Sequence, residues 1–214
     1  MVPAYNEIPQ IIKLIQNLKN YNYDVLFIDD GSNDGTFEII KNSGFKYLKN
    51  DKNMGKGYSL RRGFKYAIEN NYFACITIDA DGQHPVEMIP EFLKKLQNSD
   101  IVIGLRKMNL KNMPLDRYLS NKINSTFISI LCSKKILDSQ SGYRAIRCEL
   151  LKKIKLLSNR FELESELIIK SCIYGFRIDF LEIPVIYSLE KSHINRFLDS
   201  IRALKLYFEI LLKL

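Results

Sequence analysis

The chain has 214 residues, of which 46% are hydrophobic and 26% charged, and its formal net charge is +8. That length supports one well-buried domain and is short for two, and the balance excludes disordered, collagen-like and disulfide-scaffold classes. The four cysteines, Cys75, Cys132, Cys148 and Cys172, form no C-x-x-C pair, so zinc and structural disulfides are not expected and a reducing cytoplasm is. No basic-then-apolar leader opens the sequence and no run of about 18 apolar residues occurs in it, so neither export nor a membrane span is expected.

In chain order, Ile8, Ile11, Ile12, Ile15 and Leu18 recur at helical spacing and lead into an apolar strand, Asp24–Ile28, that ends in carboxylates. A turn at Asp30–Gly35 precedes a helix near Thr36–Asn42, a strand near Phe45–Leu48 and a helix after Gly57 running to about Asn70. Phe73–Ile78 reads as a buried strand, Val86–Gln97 as a helix behind Pro85, and Asp100–Gly104 as a further strand. Strands alternating with helices predict an α/β fold whose sheet is mostly parallel and covered on both faces. Beyond Gly104 come a long helix near Leu115–Ser133, a turn at Gln140–Tyr143, a helix near Leu163–Tyr174 and a strand near Phe176–Ile183. The tail Phe197–Leu214 reads as a basic amphipathic helix, suited either to a membrane interface or to packing on protein.

Charge is unevenly spread: residues 1–104 are net −1, 105–160 are +10, 161–190 are −4 and 191–214 are +3. The middle of the chain therefore expects an anionic partner or presents a solvated basic face. No aromatic-interleaved basic motif of the RNA-binding kind occurs, so nucleic acid is not expected.

In a sheet of this kind ligands bind beyond the carboxyl ends of the strands, and here those ends are acidic. One strand runs into Asp29 and Asp30, another into Asp79-Ala-Asp81-Gly-Gln83. Asp79 and Asp81 repel one another unless a cation lies between them, and hard oxygen ligands with Gln83 nearby favour Mg²⁺ or Mn²⁺, whose remaining positions suit the diphosphate of a nucleotide. Acidic residues after a strand also commonly cap the next helix, so the pair acquires weight from its companions. Asp29 or Asp30 can hydrogen-bond a ribose or a base, and Asn53-Met-Gly-Lys56-Gly57 offers a cation at a helix start, where phosphate is favoured. The glycines form neither a dinucleotide fingerprint nor a P-loop.

The series Val2-Pro-Ala-Tyr-Asn-Glu7, Asp29-Asp-Gly-Ser-Asn-Asp-Gly-Thr36, Asn53–Gly57, Asp79–Pro85, Gly104-Leu-Arg106 and Asp138-Ser-Gln-Ser-Gly-Tyr-Arg144 resembles family 2 glycosyltransferases. It is most similar to their dolichyl-phosphate mannose synthase and polyprenyl-phosphate branch. The resemblance implies a GT-A-type, Rossmann-like fold and an inverting transfer from a nucleoside-diphosphate sugar. Pro3, Ala4, Tyr5, Glu7, Asp29, Asp30, Lys56 and Asp79 would then serve the nucleotide sugar. Asp79, Asp81 and Gln83 would hold the metal, and Arg106, Arg117, Asn121, Ser141 and Arg144 would face the acceptor phosphate. Asp79, Asp81, Asp138 and Arg144 form the expected catalytic set, with Asp138 and Glu164 as fallback bases for a hydroxyl acceptor. Lys191 and His193, in a segment resembling the family's closing loop, would reach a phosphate.

A phosphate acceptor is already an anionic nucleophile and needs cations rather than a base, which suits the surplus of arginine and lysine. The expected donor is a UDP- or GDP-sugar and the expected acceptor a polyprenyl or dolichyl phosphate, with a glycan or other hydroxyl as the alternative. Residues 1–194 are expected to form the transferase domain and 195–214 the amphipathic helix, resting on the domain or on the inner face of the cell membrane, with a dimer or membrane-protein partner also open. Two departures stand out. Only Met1 and Val2 precede Pro3, where relatives place a full strand, and one amphipathic helix stands where many relatives continue into membrane spans.

Overall fold

Among the described residues short strands, most of them apolar, number seven, and the helices between them cover both faces of the sheet. The computed structural model describes residues 1–106 and 115–184. In order these are β1 Val2–Ala4, α1 Ile8–Leu18, β2 Leu26–Asp29, α2 Thr36–Lys41, β3 Lys46–Lys49, α3 Lys56–Glu69, β4 Ala74–Thr77, α4 Ile89–Leu96, β5 Ile101–Arg106, α5 Leu115–Cys132, β6 Arg144–Arg147, α6 Cys148–Lys153, α7 Glu162–Ile173 and β7 Ile178–Ile183. A 3₁₀ turn, Val86–Met88, leads into α4. The tail 195–214, the loop carrying Lys191 and His193, and the Arg117 side chain lie outside the described residues.

β1, β2 and β3 pair in parallel, and β4, β6, β5 and β7 form a second hydrogen-bonded set. Met1 joins the two: its nitrogen donates to the Ile76 carbonyl at 2.6 Å and its carbonyl accepts from the Ile78 amide at 3.1 Å. That slanted pattern belongs to parallel neighbours, so the strands run 3-2-1-4-6-5-7 across the molecule. β6 is antiparallel to both of its neighbours. The sheet is thus mostly parallel, as expected, with one reversed strand that the sequence reading leaves out, placing only the Gln140–Tyr143 turn ahead of it. Arg144 and Arg147 bracket only two apolar residues there, Ala145 and Ile146, too short a run to announce itself.

Period-2 alternation sends neighbouring residues of one strand to opposite cores. On one face Phe27, Val102 and Ala145 pack with Ile11, Leu14, Ile15 and Leu18 of α1 and with Phe92 and Leu96 of α4. On the other, Ile101, Ile103 and Ile146 meet Leu60 and Phe64 of α3, Leu150 of α6 and Leu163, Leu167 and Ile168 of α7. Each such side chain contributes roughly 1.5–3 kcal/mol by burial. The loops at the carboxyl ends of β1, β2, β4 and β5 are thereby fixed along one edge, and the motifs singled out above lie on them.

Candidate active site

Two of these loops lock together beyond β1 and β2. The Asn6 amide donates to Ser32 Oγ at 3.0 Å, the Asn33 amide to Asn6 Oδ1 at 3.0 Å and the Glu7 amide to Thr36 Oγ1 at 2.9 Å. Pro3 and Ala4 are buried in β1, and Tyr5 and Glu7 stand half-buried on the loop after it.

Asp29 and Asp30, adjacent in sequence, have different occupations. Asp30 Oδ1 accepts from Asn50 Nδ2, Ser59 Oγ and the Met54 amide, and its Oδ2 accepts from the Gly55 amide at 2.8 Å. These bonds make Asp30 a brace of the Asn53–Gly57 loop. Asp29 uses Oδ2 for the Gly31 and Ser32 amides, while its buried Oδ1 has no partner among the described residues. An unfilled buried acceptor carries a desolvation cost, which makes Asp29 the carboxylate able to receive a donor from a ligand.

The Asn53–Gly57 loop is clamped. A Cβ at Gly55 would come within 2.4 Å of the Asn159 carbonyl, so only glycine permits this approach. The clamp places Lys56 at the start of α3 between two carboxylates, 2.7 Å from Asp79 Oδ1 and 2.7 Å from Glu164 Oε1. Lys56, expected to meet phosphate directly, is therefore already ion-paired, and Glu164 is a buried member of the site rather than a surface ion pair or a free base.

The Asp79 segment and the Asp138–Arg144 segment meet although some 60 residues separate them. Thr77 Oγ1 donates to the Gly142 carbonyl at 2.6 Å and Tyr143 Oη donates to the Pro85 carbonyl at 2.8 Å. A Cβ at Gly142 would lie 2.4 Å from Asp79 Oδ2, so the glycine makes room for the carboxylate. His84 Nδ1 accepts from the Asp79 amide at 3.0 Å, bracing the turn. Burial holds this imidazole down at about 4, hence neutral near pH 7, despite the nearby Asp79 charge.

The two acids of the turn are pushed apart. Burial would raise Asp79, but the adjacent Lys56 ammonium outweighs it and holds the carboxyl at about 2. Burial, with the Asp79 charge second, pushes Asp81 up to about 6. A carboxylate strained in this way is relieved by a cation, and the set of Asp81, Asp79 and Gln83 offers only oxygen donors. Among the described residues no three histidine, cysteine or acidic side chains converge on one point. A cation here would draw the rest of its shell from a diphosphate and water, as Mg²⁺ and Mn²⁺ sites commonly do.

Arg106 at the end of β5 donates from Nε to Asp138 Oδ2 at 2.8 Å and from Nη2 to Asp138 Oδ1 at 2.9 Å. Asn121 Nδ2 and the Gln140 amide also donate to Asp138 Oδ1, and Asn121 Oδ1 accepts from Ser125 Oγ. Asp138 is wholly buried, and the Arg106 charge overcomes burial to hold its carboxyl below the usual range. With these partners the Asp138 carboxylate anchors Arg106.

Arg144 is held by the backbone. It is buried, and its guanidinium donates to the backbone carbonyls of Ser141 at 2.7 Å, Glu164 at 2.7 Å and Ser139 at 2.9 Å. It ties the Asp138–Ser141 loop to the start of α7, using three of its five N–H groups on backbone carbonyls. Ser141 Oγ is buried without a partner among the described residues.

The sequence profile described as Glycosyl transferase family 2 matches residues 1–155. The chain belongs to this glycosyltransferase family. Among curated relatives, the UDP-N-acetylglucosamine–dolichyl-phosphate N-acetylglucosaminyltransferase of Methanococcus voltae is 32% identical over 88% of this chain and 85% of its own length. The undecaprenyl-phosphate mannosyltransferase of Micrococcus luteus is 29% identical, over 84% of this chain and 74% of its own. Among solved structures, glucosyl-3-phosphoglycerate synthase of Mycobacterium tuberculosis, crystallised with Mn²⁺, UDP and glucosyl-3-phosphoglycerate, superposes with a TM-score of 0.73 at 20% identity, covering 94% of this chain and 73% of the other. That likeness shows the GT-A fold.

In this glycosyltransferase several site residues escaped the sequence reading. Asn50 and Ser59, which hold Asp30, lie outside the recognised motifs and gave no signal. Glu166 is fully buried, accepts from the Leu157 and Ser158 amides and pairs with Lys170, fixing the chain that clamps Gly55. Its Glu-x-x-x-Lys spacing reads from sequence as a surface helix pair.

Proposed function

We propose that this family 2 glycosyltransferase moves a sugar from a UDP- or GDP-sugar to a polyprenyl or dolichyl phosphate, with inversion at the anomeric carbon. The observation that carries the reading is the meeting of the Asp79–Asp81 turn with Arg106 across one sheet edge: an acidic corner suited to a cation-bound diphosphate faces an anchored guanidinium suited to an anion. The names of the relatives support a lipid-phosphate acceptor, and the Mn²⁺ and UDP in the structural neighbour support the donor and the metal.

Pro3, Ala4, Tyr5 and Glu7 would line the nucleotide pocket, where Asp29 Oδ1 accepts a ribose or base donor. Asp81, with Asp79 and Gln83, would hold Mg²⁺ or Mn²⁺ against the diphosphate; bound there, the ion supplies positive charge that offsets the charge developing on the leaving oxygen. Lys56 keeps Asp79 ionised and fixed. Arg106, oriented by Asp138 and through it by Asn121, holds the acceptor phosphate, one of whose oxygens attacks the anomeric carbon as the bond to the diphosphate breaks. No proton leaves the nucleophile, which agrees with an Asp138 unsuited to act as a base.

Residues 1–194 would form the catalytic domain and 195–214 a helix at the cytoplasmic membrane face. Among the described residues no helix is long and apolar enough to cross a membrane. The test is transfer of radiolabel from UDP- and GDP-sugars into the organic phase with a short polyprenyl phosphate and Mn²⁺. The reading predicts an acid-labile lipid-linked sugar with one nucleoside diphosphate released per transfer. Label passing only to a glycan or alcohol would overturn it.

A further inference from the structure

The main chain at Lys56 is fixed, while its ammonium is shared. Gly55 and Gly57, on either side of it, lie against residues 158–160: a Cβ at Gly57 would come within 2.6 Å of the Arg160 carbonyl, and the Tyr58 amide donates to the Asn159 carbonyl at 2.9 Å. At the far end of a flexible stem the ammonium stands 2.7 Å from Asp79 Oδ1 and 2.7 Å from Glu164 Oε1. A small rotation about the side-chain bonds trades one partner for the other with the backbone at rest.

The two carboxylates are not equivalent. Glu164 lies in the first turn of α7, is 8% exposed, and its own carbonyl accepts from Arg144 at 2.7 Å, so its place is set independently of Lys56. Asp79 belongs to the acidic corner with Asp81 and Gln83. Its Oδ2 is crowded by Gly142, where a Cβ would come within 2.4 Å, and Lys56 holds the other oxygen. A divalent ion bonded to that oxygen would stand within about 5 Å of an ammonium still paired to it, and two cations so close repel strongly where water is partly excluded.

We propose that Lys56 is a displaceable counter-ion: when a divalent cation and its diphosphate settle on Asp79 and Asp81, the ammonium gives up Asp79 and is received by Glu164. A buried cation left without a partner is costly, and Glu164 supplies one without moving. Glu164 is thus a positioning residue, which holds the ammonium and touches neither metal nor substrate. The exchange also links the two ligands. Mn²⁺ alone must break an ion pair, whereas Mn²⁺ arriving with a diphosphate brings further oxygen ligands that offset the loss. The inference rests on the reading of Asp79 and Asp81 as holders of a divalent ion and adds what makes room for it.

The experiment has two arms, both on the full chain. Crystals soaked with Mn²⁺ and UDP should show the Lys56 ammonium beyond about 4 Å from Asp79 Oδ1 and still within about 3 Å of Glu164. Electron paramagnetic resonance of free Mn²⁺, titrated with protein and UDP, should show Glu164→Gln weakening uptake about tenfold more in the Lys56 background than in the Lys56→Met background, because only the ammonium needs the lost carboxylate. Thermal melts establish that each variant is folded at the titration temperature; should Lys56→Met not fold, the crystals decide alone. An equal loss in both backgrounds, as a structural role or a through-space charge effect of Glu164 gives, would overturn the proposal. So would an ammonium still on Asp79 beside a bound ion, or one turned to the diphosphate, and each of these leaves the divalent-ion reading standing. UDP bound with no Mn²⁺ at the acidic corner would overturn that reading and the exchange with it.

Discussion

Lys56 Nζ lies 2.7 Å from Asp79 Oδ1, at the start of the loop on which the acidic corner depends, and the same ammonium lies 2.7 Å from Glu164 Oε1. One cation holds together α3, the end of β4 and α7. Replacing it by Met would leave two buried carboxylates without a counter-charge, and removing one member of such a group costs roughly 3–5 kcal/mol. Urea denaturation should show that loss for Lys56→Met and a partial recovery in Lys56→Met/Glu164→Gln, since the second change removes one stranded charge. Additive losses in the double variant would contradict the bridge.

Asp29 and Asp30 should separate by function. Asp29→Asn should weaken nucleoside-diphosphate binding about tenfold or more with less than ~1 kcal/mol of stability lost, because Oδ1 has no partner to lose among the described residues. Asp30→Asn should instead destabilise by roughly 1–3 kcal/mol through the Met54, Gly55, Asn50 and Ser59 bonds. Calorimetric titration and denaturation on both proteins decide this.

Asp138→Asn tests anchor against base. As an anchor, the substitution leaves Arg106 without its carboxylate, so the folded state should lose roughly 3 kcal/mol and the acceptor KM should rise, while the pH profile of kcat keeps its shape. A general base would show the opposite: stability retained, kcat down about a thousandfold and the acid limb of the profile gone.

The pH dependence of stability should contain two opposing contributions. His84 is neutral down to about 4 in the fold and protonates near 6.5 when unfolded. Unfolding thus takes up a proton between those values, and its contribution falls as pH drops through that window, by at most roughly 3 kcal/mol. Asp81 titrates near 6 in the fold against 3.8 unfolded, so its contribution runs the other way and stability rises as pH falls from 6 toward 4. Thermal melts should therefore be nearly flat from pH 6 to 4 in the wild type, climb toward acid in His84→Gln and fall toward acid in Asp81→Asn.

The alternation of strand and helix and the acidic strand ends were legible because they are local: Ile11, Leu14, Ile15 and Leu18 mark one face of α1 by spacing alone, and the Asp79–Pro85 turn marks itself by composition. What the sequence could not disclose is how the charges pair. Asp138 and Arg106 are 32 residues apart, and Lys56 and Glu164 are 108 apart. Only the folded sheet brings them within hydrogen-bond reach. β6 escaped for a related reason: a central strand of four residues flanked by arginines owes its place to its neighbours rather than to its own pattern.

The central claim is that Asp81 and its neighbours hold a divalent ion against a sugar diphosphate. Electron paramagnetic resonance of free Mn²⁺, titrated with protein in the presence and absence of a UDP- or GDP-sugar, reads this directly. The account predicts that wild type removes the free-ion signal in proportion to protein when the nucleotide is present, and that Asp81→Asn does not. Equal uptake by both proteins, or none by either, would contradict it.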